Sequence, residues 1–203
     1  MRRPKFSRSG FFVDAGGTVI TATEAVAGCG RVTVEGDKDA DVIFADAASG
    51  VALIKPRVAL APRAVAQFQV AANRVGAEIA VSGYSYEDAL PSPVLTFGAL
   101  EALSGLEGEV AVNRLSLDTR PGDAGGPVLD ATGSVLGMLL PRGMDPKKLL
   151  PAGVVFAASS ADISTRLAAQ GITTLAPAGN GALAPEDLST LATGMTVLVS
   201  CWD

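Results

Sequence analysis

Apolar and polar residues alternate in short runs along most of the chain, and turn residues interrupt the runs too often for long helices. Residues 10–13 and 18–21 flank Asp14-Ala15-Gly16-Gly17, a hairpin signal in which glycine supplies the tight turn. Residues 22–29 read as one helical turn stopped by Gly28. Further strands are predicted at 31–35, 42–45 and 51–55. Past Pro56 and Pro62 they recur at 67–71, 78–81, 94–100, 109–115, 128–129, 135–140 and 154–157. This cadence predicts a barrel or sandwich.

Only the end turns helical. Ser159-Ser160-Ala161-Asp162 reads as a capping box, Ile163, Leu167 and Ala168 share a face, and Gly171 stops the helix. A shorter helix starts at Pro185, carries Glu186 and Asp187 in its first turn and ends at Gly194. Residues 195–202 form a closing strand with Cys201 on the side of Val197 and Val199.

Composition narrows the class. With 203 residues and 48% apolar content, the chain holds one sizeable domain or two small barrels sharing an interface. No run approaches the roughly 18 apolar residues of a membrane span. The opening is basic through Arg2, Arg3, Lys5 and Arg8 but lacks the apolar run of a signal peptide, so export requires a signal ahead of this sequence. Residues 1–9 are expected to form a frayed, solvated arm. A net charge of −5 argues against nucleic acid as the main partner. Histidine is absent, which removes the Ser-His and Cys-His couples and the commonest zinc ligand, and no metal or other cofactor is implied. Cys29 and Cys201 are spaced unlike a metal pair; they form either a disulfide in an oxidising compartment or two separate buried thiols.

The densest chemistry lies in residues 117–138, around Gly122-Asp123-Ala124-Gly125-Gly126-Pro127-Val128. This loop resembles the one in trypsin-like serine proteases, the HtrA/Deg type in particular, that reads Gly-Asn/Asp-Ser-Gly-Gly-Pro. The nucleophile falls on Ala124. Ser9-Gly10-Phe11-Phe12-Val13 and the following segment to Val26 resemble the family's Ser-Gly-Phe run into Leu-Thr-Asn-Ala-His-Val-Val, which places the general base at Glu24. Residues 46–55 are similar to Asp-x-x-x-Asp-Leu-Ala-Leu-Leu-Lys, which places the orienting aspartate at Gly50. Residues 74–84 and 153–158 match a family strand and its substrate-lining strand.

The resemblance implies an all-β fold of two six-stranded β-barrels of the trypsin-like (chymotrypsin) type over residues 10–170. Its approximate halves are 10–65 and 66–158, followed by a helix over 159–170. Residues 171–203 are then an extension, a short helix and an extra strand, packing on the domain. The reaction needs a hydroxyl, an imidazole and an orienting carboxylate, and Ala124, Glu24 and Gly50 supply none of them in place. A pseudoprotease is the reading that follows. The backbone N–H groups of Gly122, Asp123 and Ala124 stand at oxyanion-hole positions. Asp118, six residues before Ala124, occupies the place of a selector for basic side chains, with Arg120 near enough to neutralise it. Val154, Val155, Phe156 and Ala157 are candidates for peptide binding by strand addition, and Tyr84 and Tyr86 for aromatic anchors.

The expected function is a catalytically inactive module that binds a peptide or protein partner or scaffolds one, in the periplasm or outside the cell. Two readings compete with it. One is a serine-type hydrolase recorded in inactive form or using Glu24 in a non-standard site; the other is a purely structural domain stapled by Cys29 and Cys201.

Overall fold

In the computed structural model, which describes residues 3–69, 71, 73–143 and 149–203, β-branched and other aliphatic side chains gather the chain into two closed barrels. The first contains β1 (Phe6–Phe12), β2 (Val19–Ala22), β3 (Arg31–Val34), β4 (Lys38–Asp46), β5 (Val51–Pro56) and β12 (Thr196–Trp202). Val19, Val32, Val34, Ile54, Val197 and Val199 fill it, residues whose stiff side chains suit a pleated surface. The second contains β6 (Glu78–Gly83), β7 (Val94–Ala102), β8 (Val112–Ser116), β9 (Pro127–Leu129), β10 (Val135–Leu139) and β11 (Val154–Ser159). Ile79, Val81, Leu100, Leu115, Leu136 and Val155 fill that one.

A third apolar cluster draws on both barrels. It joins Phe11, Ile20 and Leu53 to Leu129, Met138 and Leu140, and adds Phe68 from the connection between the barrels. Two helices complete it: α1 (Ser160–Ala169) contributes Ile163 and Leu167, and α2 (Pro185–Met195) contributes Leu188 and Met195. The Ser159 hydroxyl caps α1 by accepting the Asp162 N–H at 3.2 Å. Buried hydroxyls cross the same junction, with Thr196 of β12 donating to Ser82 of β6 at 2.8 Å.

Two expectations about the ends of the chain are corrected. Residues 6–9 are barrel strand rather than a solvated arm, because β12 pairs along them, Phe6 opposite Cys201 and Ser9 opposite Leu198. Residues 196–202 are likewise no appendage. They are inserted between β1 and β3, and the first barrel is closed only with them in place. The Cys29–Cys201 disulfide, with Cα atoms 5.3 Å apart, fastens that strand to the segment preceding β3.

Smaller differences follow from local geometry. Residues 22–29 contain one 3₁₀ turn, Thr23–Ala25. The strand expected over 67–71 reduces to isolated bridges at Gln67 and Phe68, and Val70 lies outside the described residues. Residues 109–111 belong to the connection ahead of β8. Among the described residues no helix is long and apolar enough to cross a membrane.

The disulfide spans 172 residues of sequence, and a cross-link of that length removes much of the unfolded chain's freedom. Its reduction, or the pair Cys29→Ser and Cys201→Ser, is expected to lower stability by about 3–5 kcal/mol. Urea unfolding with and without a reductant measures the loss.

Candidate functional site

Ser9 is the residue on which the Gly122 loop rests. Fully buried in β1, it uses every polar atom it has. Its hydroxyl donates to the Gly122 carbonyl at 2.8 Å and accepts the Tyr84 N–H at 2.7 Å. Its N–H donates to the Ala124 carbonyl at 3.0 Å, and its carbonyl accepts the Thr21 hydroxyl at 2.7 Å. One side chain of the first barrel thus holds two loops of the second.

The loop is pressed into that junction. Gly125 has φ +87°, and a side chain there would run into the Ser9 carbonyl, the Thr21 hydroxyl and the Ala22 N–H. A side chain at Gly122 would strike the Tyr84 carbonyl. The Gly125 N–H donates to the Leu139 carbonyl at 2.8 Å, which ties the loop to β10. On the other side, the Thr23 N–H donates to the Gly50 carbonyl at 2.8 Å, so the turn bearing Glu24 sits on Gly50. Ala124, Glu24 and Gly50, distant in sequence, share one junction.

Each position is occupied in a way that bears on chemistry. Ala124 is only 2% exposed and packs in the cluster between the barrels. Its N–H donates to the Pro121 carbonyl at 3.3 Å, and the Asp123 N–H to the Arg120 carbonyl at 3.0 Å. Two of the three N–H groups expected to point at a substrate oxygen are engaged inside the 3₁₀ turn Pro121–Asp123. The buried Asp123 carboxylate holds the turn by accepting the Arg120 N–H at 2.8 Å and the Ser85 hydroxyl at 2.6 Å.

Glu24 is paired with Arg8, whose guanidinium also reaches Glu87 at 3.3 Å and lies 4.8 Å from the centre of the Phe6 ring. Burial, with the charge of Glu35 adding to it, pushes the nearby Tyr84 phenol up to about 12.

Asp46, four residues before Gly50, is also ion-paired. Arg166 of α1 reaches it at 2.7 Å and holds Asp162 as well. The Ser49 hydroxyl and the Ala48 N–H, with Arg166 in support, keep the Asp46 carboxyl below its ordinary range.

Comparison with known proteins follows the same lines. Residues 8–138 match the trypsin-like peptidase domain, well over half of the chain. The chain belongs to the trypsin-like peptidase family.

The Rv3671c protease of M. tuberculosis H37Rv, in the inactive form of a serine-to-alanine mutant, is 25% identical, with 88% of this chain and 87% of that chain covered and a TM-score of 0.65. A serine endoprotease from Yersinia pestis shares the fold, at 17% identity and a TM-score of 0.64 over 81% of this chain and 57% of that one. The uncharacterized protein y4bJ of Sinorhizobium fredii (strain NBRC 101917 / NGR234) is 28% identical over 95% of this chain, which spans 32% of that protein's length.

Within this trypsin-like domain the remaining expected residues are scattered. Asp118 is exposed, and Arg120 stacks over Tyr86, 4.6 Å from its ring centre. Val155 and Phe156 line a cavity of about 550 Å³, whereas Val154 and Ala157 do not. Strand addition is corrected for the C-terminal part of β11: β8 pairs along Val154–Ala158 on one edge, and on the other β10 pairs with Ala157–Ser159 and the Leu140 N–H reaches the Phe156 carbonyl, so a peptide has no edge at Phe156 and Ala157. Ser9, Arg8 and Arg166 were missed by the sequence reading. The signal for Ser9 was its place at the head of the family-like Ser9-Gly10-Phe11 run; for Arg8 and Arg166 it was only their placement, one residue ahead of that run and on the helix that follows β11.

Ser9→Ala leaves the Gly122 carbonyl and the Tyr84 N–H buried without that partner, at roughly 1–3 kcal/mol for each group. Urea unfolding is expected to show the loss. For Asp46 the folded value lies below the unfolded value of 3.8, so its stabilisation is present above pH 3.8 and disappears as pH falls through the folded value. Stability followed from pH 6 to pH 2 should therefore show the native protein's advantage over Asp46→Asn vanishing at the acid end.

Proposed function

We propose that this domain is a catalytically inactive trypsin-like peptidase that works as a peptide- or protein-binding module. The observation that carries the reading is the state of the nucleophile position: Ala124 has no hydroxyl and lies buried in the inter-barrel cluster. Acyl transfer requires an attacking oxygen, a base to take its proton and a group to orient the base. With Ala124, an arginine-bound Glu24 and Gly50 at those places, no side chain there performs any of the three roles.

A domain retaining a protease frame without its chemistry still offers the surfaces beside the old cleft. Peptide recognition by backbone pairing and side-chain pockets needs no nucleophile. The disulfide fits an oxidising compartment, periplasmic or extracellular. That y4bJ is about three times as long supports a module acting within a larger chain.

Fluorescent casein incubated with the protein tests the catalytic half. Release of peptides should stay at the buffer level for both the native chain and Glu24→Gln. Hydrolysis that Glu24→Gln abolishes would instead establish a peptidase with a non-standard base.

A further inference from the structure

The connection from α1 to α2, residues 170–184, is a strap anchored at separate points. The Phe68 N–H donates to the Leu175 carbonyl at 2.7 Å, the Ala178 N–H to Gln67 Oε1 at 3.1 Å and the Leu183 N–H to the Ala131 carbonyl at 2.8 Å. Between the last two anchors the chain reads Gly179-Asn180-Gly181-Ala182. All four residues are exposed, and none has a hydrogen-bond partner among the described residues.

An asparagine followed by glycine carries its own reactants. Attack of the Gly181 backbone nitrogen on Cγ of the Asn180 side chain closes a five-membered ring within one molecule, and such reactions gain their rate from proximity. Three things restrain the attack: a hydrogen bond fixing the N–H, a side chain shielding the nitrogen, and a backbone unable to rotate. Here the Gly181 N–H is unpaired among the described residues and glycine brings no side chain. A Cβ at Gly179 or at Gly181 would have no atom beyond its chain neighbours within 4 Å, so the backbone on both sides of Asn180 has room to turn. The other two asparagines lack this setting. Asn113 is buried in β8 opposite Ala157 of β11, and both Asn113 and Asn73 precede an arginine.

We propose that Asn180-Gly181 is a site of spontaneous modification that converts Asn180 to isoaspartate and aspartate, with water as the only co-reactant. The Gly181 nitrogen gives its proton to water and bonds to Asn180 Cγ; the Cγ–Nδ2 bond breaks and ammonia leaves. Water then opens the resulting succinimide. Addition at the Asn180 main-chain carbonyl carbon leaves the backbone running through Cγ, as isoaspartate, and addition at Cγ restores the original backbone, as aspartate. Nothing is oxidised or reduced.

Both products replace a neutral amide with a carboxylate. It stands between Gly179 and Gly181, which line a groove of about 740 Å³ together with Arg63, Thr132 and Asp187. Isoaspartate also lengthens the backbone between the anchors at Ala178 and Leu183. The modification therefore alters the charge and the outline of that groove and leaves every residue of the Gly122 junction covalently unchanged.

Peptide mapping of the full chain incubated at neutral and at mildly alkaline pH tests it. Residue 180 should gain the mass difference between an amide and a carboxylic acid roughly tenfold or more faster than Asn73 or Asn113. Isoaspartate, recognised by its resistance to endoproteinase Asp-N, should be among the products. The rate should rise with pH, because the attacking nitrogen must lose its proton. It should be within about threefold of the rate in urea, whereas Asn113 should react appreciably only in urea. Gly181→Ala meets no contact and needs no left-handed backbone, so it should keep the unfolding midpoint and slow the conversion about tenfold. Asn180→Gln should remove it.

Conversion at residue 180 no faster than at Asn73 overturns the proposal. So does a rate in the folded chain many times lower than in urea, which would mean that the fold protects the strap, or a rate that Gly181→Ala leaves unchanged.

Discussion

A buried polar group without a partner costs more than most single contacts return, and the junction of the two barrels is built around that constraint. Ser9 satisfies it at the centre. Its hydroxyl is at once donor to Gly122 and acceptor from Tyr84, so β1 of one barrel and two loops of the other are fixed by a single side chain. The Thr196–Ser82 bond repeats the device between β12 and β6. Around these bonds the apolar cluster from Phe11 to Met195 excludes water, which strengthens them in turn.

The same constraint gives the Gly122 loop its present role. Trypsin-like catalysis asks the loop to present a hydroxyl and free N–H groups at an accessible surface. Here the loop faces inward. Ala124 contributes to the core, its N–H closes a turn, and Asp123 is consumed by Arg120 and Ser85. Glu24 bonds to Arg8 on the neighbouring strand. The glycines remain because the backbone still passes close to Ser9 and Thr21 at Gly125.

Much of this was legible in the chain, and the rest fails for definable reasons. Short alternating runs with glycine turns were enough for a barrel or sandwich, and the order of motifs for the family, whose resemblance implied the two six-stranded barrels. Local pattern carries no information about which strand lies beside which across nearly two hundred residues. The residues 196–202 read correctly as a strand, yet their place between β1 and β3 depends on non-local pairing. Residues 6–9 suffered from the same blindness: a basic segment looks solvated until a partner strand covers it. Ala124, Glu24 and Gly50 were assigned to the triad places because each lay inside a family-like motif. The partners of Arg8, Ser9 and Arg166 were not readable, since an arginine or serine declares its partner only when the fold brings one within reach. Closure of the second barrel likewise covered the edge expected along β11 from Phe156 onward.

Whether the Gly122 loop is a structural joint or an opening cleft loop is decided by native-state hydrogen exchange at the amides of Ala124, Gly125 and Gly126. A joint exchanges only when the domain unfolds, so these amides should be protected as strongly as those of Val135–Leu139 and respond to urea with the same slope. Exchange orders of magnitude faster than β10, insensitive to urea, would mean that the loop opens locally and would contradict the assignment.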